Sequence, residues 1–338
     1  MNSFPVGKIP ASLLESLWRQ FGSQPESLIL GPGVGRDVAV VDIGDEYLVA
    51  KTDPITFATD NIGWYAVHVN ANDVACSGAQ PEWFMATLLL PESQATQATV
   101  ESIFQQLAEA CHTIGASLIG GHTEVTHGID RPIIMGCLLG RVAKDQLVTS
   151  EGAQAGDAVL LTGGVPIEAT AIIGREKAAE LQGSFSPEFI ERCQEYLFDP
   201  GISVLQESRL AVQTGPVHAM HDPTEGGLLT GLWELAQASE MNLLIEEAAI
   251  PIVPEGGELC RYFGLDPLAT IASGALLLTI PEQAVAPLLS EYQQHSITCL
   301  QIGEVIQGDG EVFMVSEGER RLITPPERDE IARLFEAP

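Results

Sequence analysis

Lys51-Thr52-Asp53 and Asn72-Asp73 are two short polar segments that interrupt apolar sequence of two different periodicities. The first follows the apolar run Tyr47–Ala50, which predicts a β-strand, so Lys51 and Asp53 share one strand face. The second lies in a segment that predicts an amphipathic α-helix, because its apolar residues recur with helical spacing: Trp64, Val67, Ala71, Val74 and Ala75. Oxygen ligands on neighbouring elements suit Mg²⁺. We predict that Asp53, Asn72 and Asp73 bind Mg²⁺ beside a phosphate-binding Lys51.

Simpler interpretations of these polar residues remain open. Lys51 and Asp53 also fit a surface ion pair, which is worth about 0–1 kcal/mol. Asn70, Asn72 and Asp73 also fit a network that supports the helix, because polar groups among apolar neighbours need a hydrogen bond or an ion. Asn70 and Asp73 are three residues apart and can share a helix face. The residues alone do not separate these readings from a metal site.

Two glycine-rich segments predict turns that approach a ligand closely. Gly120-Gly121-His122-Thr123-Glu124 follows the predicted strand Ser117–Ile119, and Asp222-Pro223-Thr224-Glu225-Gly226-Gly227 precedes a predicted helix with Thr224 as candidate N-cap. Glycine backbone amides and helix starts bind anions. The predicted phosphate-binding residues are Gly120, Gly121, Thr123, Asp222, Thr224, Gly226 and Gly227. Ordinary capped loops remain the alternative.

His122 and Glu124 are the candidate catalytic residues of the first turn. A histidine here could bind metal, hydrogen-bond phosphate or move protons near neutral pH. A histidine in a turn is more often structural, so only the surrounding pattern favours a functional role for His122.

Gly31-Pro32-Gly33-Val34-Gly35-Arg36-Asp37 resembles a phosphate loop but fails the known patterns. Arg36 stands at the third glycine position of the dinucleotide fingerprint, and a strand follows in place of a helix. The chain also has no GxxxxGK[ST] motif. The segment therefore fits either a flexible turn or, with Asp37 at the mouth of a strand, a mobile nucleotide lid.

The whole chain predicts two domains of mixed α+β class. Its 338 residues exceed the roughly 150 typical of one domain, and 45% are hydrophobic, which is enough for a real core. Gly44-Asp45 predicts a hairpin turn, and apolar residues with helical spacing between Val100 and Ile114 predict a long helix. The pattern of strands and helices restarts near Thr149, and a closing helix is predicted over Glu327–Phe335. We therefore predict two α+β domains, over 1–150 and 151–338, of which the first contains the predicted Mg²⁺ ligands.

Charge and hydropathy exclude several classes of partner. The chain has 16 basic and 46 acidic residues, a net charge of −30, which argues against nucleic acid and anionic membranes. No run approaches the ~18 apolar residues of a membrane span, and Met1–Lys8 has no apolar signal core, so a cytoplasmic protein is expected. The six cysteines are scattered without a CxxC pair, which is typical of reduced thiols.

In their order and spacing, these motifs resemble the AIR synthase (PurM-like) superfamily over nearly the whole chain, and most of all its HypE branch of hydrogenase-maturation factors. Asn72-Asp73-Val74-Ala75 with Gly78-Ala79-Gln80-Pro81 is similar to the helix motif of that branch, and Asp222–Leu228 to its second-domain motif. Ser273–Leu277 and Ile302–Val305 are similar to its later strands.

This resemblance implies a PurM-like protomer of two α+β domains and a homodimer formed by the N-terminal sheets. It implies ATP and Mg²⁺ as cofactors, with Asp37, Asp53 and Asp73 at the positions of metal-binding acids. It also implies ATP-dependent phosphorylation of an oxygen on a small amide, carboxylate or phosphorylated acceptor, which His122 or Glu124 would position.

The chain departs from the family pattern in three places. Arg36 replaces the first acid of a Gly-Asp-Asp segment, and His122 stands where an acid is expected, so fewer or more weakly bound Mg²⁺ ions are predicted. HypE carries its substrate on a C-terminal cysteine, whereas this sequence ends Phe335-Glu336-Ala337-Pro338 and its last cysteine is Cys299. HypE chemistry in its usual form is therefore not expected.

These departures leave alternatives to an active enzyme. A catalytically reduced, nucleotide-binding dimeric scaffold is the second hypothesis, acting with a partner protein in hydrogenase or other metallocentre maturation. A third is that the chain accepts a partner's thiocarbamate in trans.

Overall fold

The structure is a computed structural model that describes Phe4 and residues 7–335. Most of the terminal segments on which the signal-peptide and C-terminal cysteine expectations rest lie outside the described residues. The chain forms two units by backbone contacts. The N-terminal unit consists of Glu26–Leu30 and Val38–Leu147, and the C-terminal unit of the described residues up to Pro25, Gly31–Asp37 and the residues from Val148 onward. The Gly31–Asp37 loop therefore packs with the C-terminal unit.

In the N-terminal unit, six strands of the described chain form one sheet in the order β1-β2-β3-β6-β4-β5. Neighbouring strands are antiparallel except β4 and β5, which are parallel. The bounds are β1 (Leu28–Leu30), β2 (Ala39–Asp42), β3 (Glu46–Ile55), β4 (Gln80–Pro91), β5 (Ser117–Thr126) and β6 (Ile133–Ala143), with α2 (Ile62–Cys76) and α3 (Gln97–Ile114). The predicted hairpin at Gly44-Asp45 is confirmed, because β2 and β3 pair across it.

Helix α2 is buried on all sides, and only Trp64 is partly exposed. The prediction of an amphipathic helix is therefore wrong in this respect, although its position is right. Because α2 packs against both the sheet and α3, its polar residues lie in the interior. Interior polar groups need partners, so these residues decide how the helix is fixed.

The prediction of a glycine turn after Ile119 is wrong. Strand β5 continues through Gly120 and Gly121 to Thr126 as the edge strand of the sheet. A side chain at Gly121 would collide with the backbone of Ala86 on β4, and its φ of +142° also favours glycine. This glycine allows two strands to approach closely, which a sequence pattern cannot distinguish from a turn.

The C-terminal unit holds a seven-stranded sheet, within the described residues, in the order β13-β12-β9-β11-β7-β10-β8. Its strands are β7 (Asp157–Thr162), β8 (Ala219–His221), β9 (Met241–Glu246), β10 (Leu277–Pro281), β11 (Cys299–Gln307), β12 (Val312–Ser316) and β13 (Glu319–Ile323). Its helices are α1 (Ala11–Phe21), α4 (Ile167–Glu176), α5 (Ala178–Leu181), α6 (Pro187–Glu195), α7 (Leu205–Thr214), α8 (Gly227–Ser239), α9 (Pro254–Phe263) and α10 (Glu282–Gln294). The α+β prediction is confirmed, whereas the predicted closing helix over 327–335 is only a 3-10 segment, Glu330–Leu334.

The core of the C-terminal unit lies between its sheet and α8. Leu228, Leu232 and Leu235 on one face of α8 are fully buried against strand residues such as Leu161 and Leu277. Each such side chain contributes about 1.5–3 kcal/mol through burial. This packing fixes the end of β8 and the start of α8, where the Asp222–Gly227 segment lies. Among the described residues, no helix is both long and apolar enough to cross a membrane.

Candidate functional site

Lys51, Asp53 and Asp73 form a compact charged cluster in the N-terminal unit. Lys51 Nζ lies 3.1 Å from Asp53 Oδ2 and 3.1 Å from Asp73 Oδ2. The Lys51 side chain is only 9% exposed and that of Asp73 4%, whereas that of Asp53 is 36% exposed. The cluster is therefore closed on the side of α2 and open at Asp53. An ordinary surface ion pair does not have this burial.

The strand and the helix both determine this geometry. Alternation along β3 places Lys51 and Asp53 on the face that packs against α2. Asn70 on α2 holds the strand in place, because its Oδ1 accepts the backbone N–H of Asp53 at 2.9 Å and its Nδ2 donates to Ala66 O at 2.8 Å. A side chain at Gly136, which pairs with Asp53, would collide with Asn70. Asn70 thus has the supporting role that the sequence left open.

Asn72 is fully buried on α2. It precedes Asp73 directly, and adjacent residues on an α-helix project roughly 100° apart. Asn72 therefore does not share the helix face of Asp73, and its assignment as a metal ligand stays a prediction.

The acids do not form a ready metal centre. Among the described residues, no group of three or more His, Cys, Asp or Glu side chains is arranged to hold a metal ion. The Asp53 and Asp73 carboxylates already contact an ammonium group, and Asp37 belongs to the other unit. The residues thus do not fit a Mg²⁺ ion held by the protein alone, so we consider Mg²⁺ only as part of a Mg-ATP substrate.

His122 and Glu124 lie on the exposed edge strand β5 and not in a turn. They are two residues apart on one strand face, with His122 Nε2 2.9 Å from Glu124 Oε2. The Gly120–Thr123 segment lines a cavity of about 420 Å³. Its other walls are apolar and come from β4, α3 and the start of β5: Ala86, Leu88, Phe104, Leu107, Leu118 and Ile119. Such a cavity suits a small ligand with an apolar side.

The Gly31–Asp37 loop is anchored within the C-terminal unit. Gly35 has a φ of +67°, and a side chain there would collide with the Glu234 carbonyl. Ser150 Oγ donates to the Gly35 carbonyl, and Arg36 forms an ion pair with Glu151. These contacts give Arg36, which replaces an expected acid, a structural partner. The loop has the contacts of a fixed segment and not those of a free turn.

Asp37 itself pairs with a buried histidine. His221 Nδ1 lies 3.0 Å from Asp37 Oδ2, and His221 Nε2 lies 2.9 Å from Glu234 Oε2. Burial opposes charging of the imidazole, but the Asp37 and Glu234 carboxylates outweigh it and raise the pKa of His221 well above 6.5. His221 is therefore a cation between two acids, and Lys8 Nζ adds a contact of 3.4 Å to Glu234. No sequence spacing indicated this network.

The start of α8 differs from its prediction. Gly226, with a φ of +87°, is the N-cap, and no side chain caps the helix. The prediction of Thr224 as the N-cap is therefore wrong. The Gly227 N–H donates to Thr224 O at 2.9 Å, and the Gly226 N–H donates to Asp329 Oδ2 at 2.6 Å. Asp329 thus occupies the anion position at this helix start. Phosphate binding by Asp222, Thr224, Gly226 and Gly227 stays a prediction, and the Gly226 amide already has an acceptor.

Three buried acids surround this turn. Asp222 and Asp329 are each 1% exposed, and Glu168 on α4 is 3% exposed. Burial raises the pKa of Glu168 to about 7; Ser273 opposes this rise, and Asp329 and Asp222 add to it. Burial likewise raises the pKa of Asp329 to about 6. Glu168 is not among the predicted site residues, although a lone acid within the largely apolar segment Ile167–Ile173 is a usable signal.

Comparison with known proteins gives matches over both units. Residues 35–142 match the N-terminal domain of the AIR synthase related proteins, and residues 154–316 match their C-terminal domain. The carbamoyl dehydratase HypE of Cupriavidus necator is 28% identical over 320 residues, which cover 91% of this chain and 86% of that protein.

Two solved structures show the same fold. The hydrogenase maturation protein HypE in complex with ATP has a TM-score of 0.72 and 24% identity, covering 96% of this chain and 97% of the other. A HypE–HypF complex has a TM-score of 0.72 and 22% identity, covering 94% of this chain and 100% of the other. These likenesses extend over both units and confirm the predicted PurM-like architecture.

Proposed function

The chain belongs to the AIR synthase-related proteins, and from this we propose that it is an ATP-dependent enzyme that phosphorylates an oxygen of a small amide, carboxylate or phosphorylated acceptor. The observation that carries the proposal is the cluster of Lys51, Asp53 and Asp73, which is buried on one side and open on the other. A related HypE is a carbamoyl dehydratase, and a HypE structure holds ATP.

In the proposed reaction, the acceptor oxygen attacks the γ-phosphorus of Mg-ATP and the bond to the bridging oxygen of ADP breaks. Phosphoryl transfer depends mainly on positioning and on charge stabilisation. Lys51 offsets charge on the phosphates, and Asp53, with Asp73 and Asn72, supplies oxygen atoms toward Mg-ATP. With a primary amide acceptor, the nitrogen loses one proton as its oxygen is phosphorylated. The carbon–oxygen bond then breaks, phosphate leaves, and the nitrogen loses its second proton, to His122 or to water, which yields a nitrile.

The glycine-rich β5 segment is proposed to position the acceptor. Gly120, Gly121 and Thr123 line the cavity together with His122, and Glu124 contacts the His122 ring at 2.9 Å. The carboxylate of Glu124 can orient the His122 ring, which fixes the nitrogen that carries the proton. The pair can thereby hold an acceptor amide or move a proton from it.

The direct test is calorimetric titration with ATP, with and without Mg²⁺, followed by phosphate-release assays with small amides and carboxylates. Asp53→Asn is expected to weaken Mg-ATP binding about tenfold, the equivalent of about 1.4 kcal/mol, because it removes the most accessible carboxylate of the cluster. Asp45→Asn, in the exposed hairpin of the same unit, is the control and should bind like wild type. Equal affinity of Asp53→Asn and wild type would contradict the assignment of Asp53.

A catalytically reduced nucleotide-binding scaffold is the second candidate function. It is favoured by the absence of a ready metal centre among the described residues and by the engagement of Arg36 with Glu151. A maturation partner is a reasonable expectation, because a HypE protein forms a complex with HypF. Tight ATP binding without turnover, with or without a carbamoyl-transfer protein, would support the scaffold. Acceptor-stimulated phosphate release would exclude it.

We further propose that the chain forms a homodimer through the free edge of β5. Val125 on this edge is 54% exposed, Ile119 53%, and Phe104 on the adjacent α3 is 44% exposed. An exposed apolar sheet edge is a ready site for association with a second copy.

Sedimentation velocity is expected to show a species of twice the chain mass of 36.1 kDa. Val125→Lys should shift this species to the monomer, because burying an unpaired ammonium in an apolar interface costs several kcal/mol. Ile43→Lys, at a position that is 51% exposed away from this edge, should leave the dimer intact. A monomeric wild type, or a dimeric Val125→Lys variant, would contradict this interface.

A further inference from the structure

The position of the Lys51 ammonium has a consequence for metal binding. A cation that touches two carboxylates at about the same distance occupies the place that a bridging metal ion takes in an acidic cluster. Here Lys51 Nζ is 3.1 Å from Asp53 Oδ2 and 3.1 Å from Asp73 Oδ2. Lys51 thus reduces the net charge of the three side chains to −1, which weakens their attraction for a free divalent ion.

The lysine is held in this position by its surroundings. Its backbone lies inside β3, opposite Leu138 of β6, and its side chain is 9% exposed. Asp73 is on the buried helix α2, and Asn70 fixes the backbone of Asp53. The three charged groups are therefore on elements that cannot readily move apart. Removing the ammonium would leave two carboxylates facing each other across its former place.

We propose that Lys51 is a built-in cation that takes the place of one divalent metal ion between Asp53 and Asp73. The nucleotide-free protein accordingly binds no divalent ion at this pair, and loss of the lysine charge opens a new divalent-cation site there. For its biological role, the inference rests on the proposed nucleotide site. With Lys51 in place, Asp53 and Asp73 could contact Mg-ATP without first binding a separate divalent ion. Its test uses no nucleotide, so the two proposals can fail independently.

The exposed side of the cluster makes such a new site chemically reasonable. Asp53 is 36% exposed, so water can complete the coordination of an ion held by two carboxylates. Divalent ions such as Mg²⁺ and Mn²⁺ commonly bind through one or two carboxylates with several waters. Lys51→Met keeps the length of the side chain and removes its charge. Lys51→Arg retains a cation and serves as the matched control.

The experiment is a titration of nucleotide-free protein with Mn²⁺, followed through the electron paramagnetic resonance signal of free Mn²⁺. The Asp53→Asn/Asp73→Asn double variant measures the background binding of this acidic chain. Wild type and Lys51→Arg should match that background. Lys51→Met should gain one site at least about tenfold tighter than background, because the ammonium no longer offsets the charge of the Asp53 and Asp73 carboxylates. Adding Asp73→Asn to Lys51→Met should abolish the gain.

Two outcomes would overturn the inference. The first is a wild-type protein that binds Mn²⁺ more tightly than the double variant does, since a metal ion would then displace Lys51 from the two carboxylates. The second is a folded Lys51→Met variant that binds no more Mn²⁺ than wild type. Thermal melts with and without Mg²⁺ serve as the folding check: Mg²⁺ should raise the melting temperature of Lys51→Met more than that of wild type. The wild-type comparison remains decisive if Lys51→Met does not fold.

Discussion

A His221→Ala variant is expected to lose about 3 kcal/mol of unfolding free energy, because it removes the imidazolium cation from between two carboxylates in a buried charge network. His221 lies between Asp37 at 3.0 Å and Glu234 at 2.9 Å, and its side chain is 4% exposed. Without the imidazolium, two neighbouring carboxylates repel each other in a partly buried place. The loss should be visible in urea denaturation followed by circular dichroism.

The pH dependence of this loss identifies its cause. The pKa of His221 in the folded protein lies well above 6.5, so its contribution is fully present below 6.5 and declines as pH rises through the folded value. The pKa of Glu234 is lowered from 4.5: burial opposes this change, and Lys8 and His221 outweigh it. The contribution of Glu234 is therefore present above 4.5 and lost in acid. The difference between wild type and His221→Ala should be largest between pH 4.5 and 6.5.

His295→Ala is the matched control for the histidine substitution. His295 is exposed, and its Nδ1 contacts the side chain and the backbone carbonyl of Glu291, four residues earlier in the sequence. Such pairs contribute about 0.3–0.5 kcal/mol, so this variant should unfold almost like wild type. A His221→Ala loss that is the same at every pH would show that packing, and not charge, is responsible.

The local elements could largely be predicted from the sequence. Apolar residues with helical spacing located α2 and α3, and the Gly44-Asp45 turn located the β2–β3 hairpin. These features depend on neighbours within one turn or one hairpin, so the sequence contains the required information. The alternation that places Lys51 and Asp53 on one face is of the same kind, and it led to the cluster that the structure shows.

Features that depend on distant segments could not be predicted. Asp329 accepts the Gly226 amide across 103 residues of sequence, so an apparent anion site already has an internal acceptor. Gly121 allows close contact with Ala86 on a neighbouring strand. From the local sequence alone, the same glycine predicts a turn. His221 joins Asp37 to Glu234 only because the fold brings a loop to the end of β8. In each case the partner, and not the residue itself, determines the role.

Glu168→Gln is expected to stabilise the protein by about 3 kcal/mol at pH 8 and to have little effect near pH 4.5, because glutamine removes the cost of a buried negative charge. Burial raises the pKa of Glu168 from 4.5 to about 7, so the folded state holds a proton that the unfolded chain has released. The stability of wild type therefore falls as pH rises between these two values. The amide has nearly the shape of the acid and does not ionise.

Urea denaturation at a series of pH values between 4 and 9 tests this expectation. The gain in Glu168→Gln should grow between pH 4.5 and 7 and then stay constant, which is the signature of one proton retained by the folded state. Glu258→Gln, at an exposed position on α9, is the control and should show no such trend. Parallel pH profiles of Glu168→Gln and wild type would mean that Glu168 is ionised in its buried place. Because burial also raises the pKa of Asp329, the Glu168→Gln variant should keep part of the decline in stability that wild type shows as pH rises.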